Sequence, residues 1–131
     1  MLRRMDNTAP HILVIDDDRE IRELLTKHGD RFKERTFTAD EIAYCDACAD
    51  PAMHYAARFA AKEATAKALG TGLWAQGVDW RDIEVTRAES GKPGLLLHGG
   101  AQDHAGVQGV TKLFISLTHT RDHAMAQVSL A

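Results

Sequence analysis

Ala57-Arg58-Phe59-Ala60-Ala61-Lys62-Glu63-Ala64-Thr65-Ala66-Lys67-Ala68-Leu69-Gly70-Thr71-Gly72-Leu73 is a run of strong helix formers that carries its charges among alanines and stops at a pair of glycines. At roughly 100° per residue, Arg58 and Lys62 fall on one face of a helix, and Phe59, Glu63 and Lys67 on the neighbouring one. One carboxylate therefore sits among three cations, the residue types that phosphate and metal chemistry employ. The same spacing also makes an ordinary solvated face, since Glu63 and Lys67 form an i to i+4 ion pair of about 0.3–0.5 kcal/mol. Spacing alone leaves both readings open.

Outward from this helix, the start and stop signals are clear. Pro51 suits its first turn and Gly70 its end. Upstream, Thr38 with Glu41 three residues on forms a capping box that opens a short helix. Ile12-Leu13-Val14-Ile15 is a continuous apolar run suited to a buried strand. Asp16, Asp17 and Asp18 follow it, and cap a helix carrying Ile21, Leu24 and Leu25 that Gly29 should end. Phe32 to Phe37 then reads as a basic connector. Downstream the period changes: residues 83–87 and 95–98 read as strands joined by the turn Ser90-Gly91-Lys92-Pro93-Gly94, residues 99–109 as a short helix and loop, and residues 112–117 and 123–130 as two further strands. Helices first and hairpins later is α+β order. The expected fold is one α+β domain over residues 1–131, a long central helix packed on antiparallel strands, with residues 1–11 a flexible extension.

A chain of 131 residues can bury enough surface to fold without staples. Lys and Arg total 16 against 19 Asp and Glu, so no global field favours nucleic acid or an anionic membrane, and any basic contact must be local. No stretch has the length and apolarity of a signal sequence or a membrane span. Cys45 and Cys48 form a lone Cys-x-x-Cys; it lacks the further ligands of a structural zinc site and falls inside a helical pattern where a redox pair would open one. Reduced, incidental thiols and a cytoplasmic location are expected.

Residues 57–73 resemble the signature Arg-Phe-x-x-Lys-Glu-Ala-x-x-Lys-Ala-x-Gly-Thr-Gly of the short phosphopantetheinyl transferases, the holo-(acyl-carrier-protein) synthases. Gly29-Asp30-Arg31-Phe32, Phe37-Thr38, Trp80-Arg81-Asp82-Ile83-Glu84-Val85, Gly91-Lys92-Pro93 and Ser116-Leu117-Thr118-His119-Thr120 fall in the same order and spacing as in that family. The resemblance spans residues 27–131 and implies transfer of 4′-phosphopantetheine from coenzyme A to a serine of acyl carrier protein, with Mg²⁺, in support of fatty acid synthesis. It implies Glu63 as a metal ligand, Glu63 and Lys67 as catalytic residues, and Arg58, Lys62, Lys67, Gly70, Thr71, Pro93, His119 and Thr120 around the coenzyme, with the backbone of Gly70-Thr71-Gly72 approaching it closely. It also implies a homotrimer with active sites between subunits. Arg58 is the cation suited to a nucleotide phosphate, because a guanidinium binds phosphate bidentately. Arg22, Lys27, Arg31, Lys33 and Arg35 give a local basic surface for steering an acidic carrier protein. Ser116 and His119 are three positions apart and no Asp is placed to orient the histidine, so they do not suggest a hydrolase triad.

The resemblance breaks at the start. The family opens with a strand whose aspartate is the second metal ligand, whereas Val14-Ile15-Asp16-Asp17-Asp18-Arg19-Glu20-Ile21 stands here. Anchoring on Glu20-Ile21 makes Asp17 the ligand, with Asp16 the next choice and Asp18 left to cap the helix. His11 to Leu25 also resembles the first strand and helix of a response-regulator receiver domain, where paired aspartates hold Mg²⁺. No apolar strand leads to a phosphoacceptor aspartate, however: Asp50 stands before a helix. A receiver-like signalling module and an impaired transferase relative are the competing readings.

Overall fold

The computed structural model of the protein describes residues 11–71 and 77–131. In chain order these form β1 (His11–Asp17), α1 (Asp18–Thr36), α2 (Ala39–Asp46), α3 (Pro51–Leu69), a 3₁₀ turn (Trp80–Asp82), β2 (Ile83–Arg87), β3 (Pro93–Leu97), α4 (Gly99–Val107), β4 (Leu113–His119) and β5 (His123–Leu130). The local signals act as expected around the central helix. Thr38 accepts from the Glu41 amide while the Glu41 carboxylate accepts from the Thr38 amide, completing the capping box of α2. Gly70 ends α3 in the left-handed conformation (φ 76°).

The expected connector after Gly29 is instead helix. Gly29 takes φ 47° and ψ −122°, outside the helical region, so it ends the first helical stretch as expected, and the chain turns there into a second stretch that completes α1. What keeps the chain helical beyond the kink is burial. Phe32 meets Phe37 edge-on at 5.8 Å and Phe59 at 6.2 Å, so residues 32–36 are held by aromatic packing that a glycine stop signal does not report.

β1, β5 and β4 form an antiparallel sheet in that order, and β2 and β3 form a separate hairpin. The receiver-like start is thus the edge strand of an antiparallel sheet, paired His11 to Ser129 through Asp17 to His123, and not the first strand of a parallel one. On β5, Ala124, Ala126, Val128 and Leu130 alternate inward against α3. The helix meets them with Ala57, Ala60, Ala61 and Ala64, small side chains that bring it close to the sheet. A helix buried almost all round must have partners on every flank. On the other side α1 and α2 supply them, with Ile21, Phe37, Cys45 and Tyr55 in a second core cluster. The outer face of the sheet is left bare: Leu13, Ile15 and Phe114 are each more than half exposed (60%, 56% and 54%).

Lys62 is wholly buried in the middle of this packing. Its ammonium donates to Glu41 Oε1 at 2.7 Å, to the Trp80 carbonyl at 3.1 Å and to the Ile83 carbonyl, so all its protons are used. Glu41 is equally committed, accepting from Thr38 N at 2.9 Å and, through Oε2, from Val85 N at 2.9 Å. One ion pair therefore ties α3 to α2 and to the start of β2. Burial pushes the Lys62 pKa down and Glu41 opposes that shift. Removing one member of such a pair leaves an uncompensated buried charge, so Lys62→Met should lower the unfolding free energy by about 3–5 kcal/mol. Urea denaturation measures this; a loss below about 1 kcal/mol would show that the pair does not hold the elements together.

Candidate active site

The end of β1 and the solvent-facing edge of α3 bring Asp16 and Glu63 together. Glu63 is half-buried and hydrogen-bonded to Asp16, and its pKa is pushed up to about 8, first by burial and then by Asp16; Lys67, one turn on, pulls the other way. Asp16 Oδ2 is buried and, among the described residues, has no hydrogen-bond partner. Two carboxylates sharing one proton beside an unsatisfied acceptor oxygen are a donor set that suits a hard divalent cation. No group of three or more His, Cys, Asp or Glu residues forms a metal cage among the described residues. A pair fits Mg²⁺ in particular, which commonly binds through one or two carboxylates and completes its shell with water and phosphate oxygens.

Around the helix from this pair lies a cleft of about 250 Å³, lined by Tyr44, His54, Arg58, Thr86, Arg87, Gly91, Pro93, Thr118 and His119 among others. Its cations are held in place. The Tyr44 ring has the Arg58 guanidinium 4.5 Å from its centroid and the Arg87 guanidinium at 5.0 Å, a double cation–π contact. Gly91 packs against Arg87 closely enough that a Cβ would sit 3.2 Å from Nη2. Arg58 is 5% exposed, and its Nε is buried without a hydrogen-bond partner among the described residues. Burial, and then Arg58, push the His54 pKa below its ordinary value, so this imidazole adds little charge of its own. His119 Nε2 lies 2.8 Å from Asp18 Oδ2. A pocket with two constrained arginines, one with a buried Nε lacking a partner among the described residues, has the chemistry to take an anion such as phosphate.

The expected site residues divide accordingly. Glu63 and Lys67 lie together, and Arg58, Pro93 and His119 line one cleft. Lys62, one residue from Glu63, is turned into the core, where Glu41 and two backbone carbonyls take its protons. Gly70 and Thr71 close α3. The Thr71 amide donates to the Ala66 carbonyl at 3.1 Å and its side chain is buried at the helix end, so it serves the cap. Gly72 falls outside the described residues. Thr120 is exposed and shapes the β4–β5 turn, its amide donating to the His123 carbonyl at 2.8 Å; Thr118 is the threonine in the cleft. The side chain of Asp17 also lies outside the described residues, and Asp16 is the aspartate seen at Glu63. An acid does orient His119 after all, although Ser116, of opposite strand parity, does not join it.

Of the basic set on α1, Arg22 is paired to Asp50 at 2.7 Å and Lys33 to Asp46 at 3.1 Å, so both are occupied within the fold. Arg31 and Arg35 edge a second cleft of about 320 Å³ whose floor is Leu24, Phe32, Phe59 and Trp80. Phe59 and Trp80 stack at 4.6 Å. Sequence reasoning missed Asp18, Tyr44, His54 and Arg87, none of which carries a local signal for the contacts it makes.

The profile of the 4′-phosphopantetheinyl transferase superfamily matches residues 15–128. A holo-(acyl-carrier-protein) synthase of Solibacter usitatus is 48% identical over 110 residues, covering 84% of this chain and 87% of that protein. Among solved structures, the holo-(acyl-carrier-protein) synthase of Neisseria meningitidis superposes with a TM-score of 0.84 at 30% identity, covering 92% of this chain and 96% of that one. The synthase of Bacillus anthracis in complex with coenzyme A (3′,5′-ADP) superposes at 0.76 with 30% identity, covering 95% and 97%.

The raised pKa of Glu63 has a consequence for metal-free protein. The folded state holds this proton more tightly than the unfolded state, so the associated stability is fully present below the ordinary value of 4.5 and is lost as pH rises towards about 8. Thermal unfolding in chelator from pH 4.5 to 8 should therefore show wild-type stability falling relative to Glu63→Gln, which has no proton to lose. Parallel curves for the two proteins would contradict the carboxylate pairing.

Proposed function

The chain belongs to the 4′-phosphopantetheinyl transferase superfamily, and from that membership we propose that it moves 4′-phosphopantetheine from coenzyme A to a serine of apo acyl carrier protein, supplying fatty acid synthesis in the cytoplasm. The observation that carries this is the pairing of unmet demands on α3. Among the described residues, Asp16 Oδ2, beside Glu63, is an acceptor without a donor, and Arg58 Nε, on the adjoining cleft, is a donor without an acceptor. A molecule that brings phosphates with a bound cation to one and a phosphorylated nucleoside to the other satisfies both. The free thiols of Cys45 and Cys48 suit a reducing compartment.

In the reaction, the serine oxygen forms a bond to the phosphorus that carries pantetheine, the pyrophosphate P–O bond breaks, adenosine 3′,5′-bisphosphate leaves and the hydroxyl proton is released. Asp16 and Glu63 would hold Mg²⁺, which when bound neutralises charge on the pyrophosphate and orients the leaving group. Lys67 adds positive charge one turn away. Arg58, Arg87 and His119 bind and orient the nucleotide end, while the Gly91–Pro93 turn walls the cleft. Fixing the donor in this way lets binding energy at the remote nucleotide contribute to the rate.

The apolar cleft between Leu24, Phe32, Phe59 and Trp80, edged by Arg31 and Arg35, suits an amphipathic, acidic helix of the carrier protein. The bare sheet face bearing Leu13, Ile15 and Phe114 suits assembly of copies into a trimer, with active sites between subunits.

Mass spectrometry of apo acyl carrier protein incubated with this protein, coenzyme A and Mg²⁺ should record the gain of one phosphopantetheine group. Glu63→Gln and Asp16→Asn should each lower the rate on the order of 10²-fold, and excess chelator should stop transfer. An unmodified carrier protein in the wild-type reaction would refute the function; full activity of Asp16→Asn with loss in Asp17→Asn would move the metal to the other aspartate.

A further inference from the structure

Asp18 has more to do than begin α1. The residue is 3% exposed, its amide donates to the Asp122 carbonyl at 2.9 Å, and its Oδ2 lies 2.8 Å from His119 Nε2 across the β4–β5 turn. Its Oδ1 is buried with no hydrogen-bond partner among the described residues. Burying a carboxylate is costly unless its bonds are made, so one committed to a single imidazole, at the mouth of an anion-binding cleft, is a constraint on that imidazole. The reach follows from strand geometry. Residues two apart share a face, so Asp16 turns towards Glu63 while Asp18, where the strand gives way to helix, turns towards His119.

We propose that Asp18 is a positioning residue for the nucleotide end of the substrate: by accepting from Nε2–H it fixes the His119 ring and leaves Nδ1 a hydrogen-bond acceptor, offered to the ribose hydroxyl of a nucleoside whose phosphates Arg58 and Arg87 hold. This rests on the coenzyme A reading above. It also makes a prediction whose sign separates it from plain electrostatics. Removing a carboxylate near an anion site should tighten anion binding if charge alone matters, whereas removing the group that orients His119 should weaken it.

The test is calorimetric titration of adenosine 3′,5′-bisphosphate into metal-free protein, in chelator, so that the Asp16–Glu63 pair cannot contribute through a cation. Asp18→Ala should weaken binding by about tenfold, the loss of one hydrogen bond to the ligand. Asp18→Asn, whose amide oxygen can still accept from Nε2–H, should bind as well as wild type or better. Long-range ¹H–¹⁵N spectra of wild-type protein should show His119 protonated at Nε2, with Nδ1 shifting as the ligand saturates. This last reading needs no variant and stands even if Asp18→Ala fails to fold. Equal or tighter binding by Asp18→Ala, or a His119 Nδ1 that does not respond to bound ligand, would overturn the proposal while leaving the coenzyme reading intact. Failure of the wild-type protein to bind the bisphosphate would overturn both.

Discussion

The buried pair between Lys62 and Glu41 sets the rotation of α3, and with it the chemistry of the surface. Neighbouring helix residues are separated by roughly 100° about the axis, so fixing Lys62 on Glu41 and on the carbonyls of Trp80 and Ile83 leaves Glu63 no choice but the β1 edge. Arg58, one turn earlier, is turned towards Tyr44 by the same restraint. A lysine is an expensive way to fill a core, and replacing both members by apolar residues would leave the Thr38 and Val85 amides without their acceptor. The pair thus serves as an index pin among three elements as well as a source of stability.

Opposite electrostatic demands meet on this one helix. On the Asp16 side, burial first and the neighbouring Asp16 carboxylate second hold the Glu63 proton far above the ordinary range, a demand that a cation could also meet. On the Arg58 side, guanidiniums are gathered around one aromatic ring and need an anion. Among the described residues each cluster keeps one buried polar atom without a partner, and both lie along one rigid rod. A magnesium-bound pyrophosphate joined to a phosphorylated nucleoside has the complementary order of charges.

Local rules made the frame legible in sequence. The Thr38–Glu41 capping box, Pro51 at the start of α3, Gly70 at its end and the alternation along residues 123–130 are all short-range signals, and each appears in the structure. What was not legible depends on tertiary partners. Gly29 does interrupt the helix, but nothing local showed that the chain beyond it becomes helical again, with Phe32 packed against Phe37 and Phe59. Lys62 looked like a surface partner of Arg58 because nothing nearby in sequence reveals that Glu41 and the carbonyls near Ile83 converge on it. Asp18 and His119 are 101 residues apart, a distance over which no spacing rule operates. Within the Asp run, register against β5 and Glu63 brings Asp16 to the site, whereas anchoring on Glu20-Ile21 had favoured its neighbour.

If the Asp16–Glu63 pair and the Arg58–Tyr44–Arg87 cleft are two ends of one binding site, their ligands must be thermodynamically linked. The direct measurement is calorimetric titration of coenzyme A with and without Mg²⁺, and of Mg²⁺ with and without coenzyme A. Mg²⁺ should tighten coenzyme A, coenzyme A should tighten Mg²⁺ by the same factor, and Glu63→Gln should abolish that coupling while leaving metal-free coenzyme A binding in place. Identical coenzyme A affinity with and without the metal would contradict a single site spanning the two ends of α3.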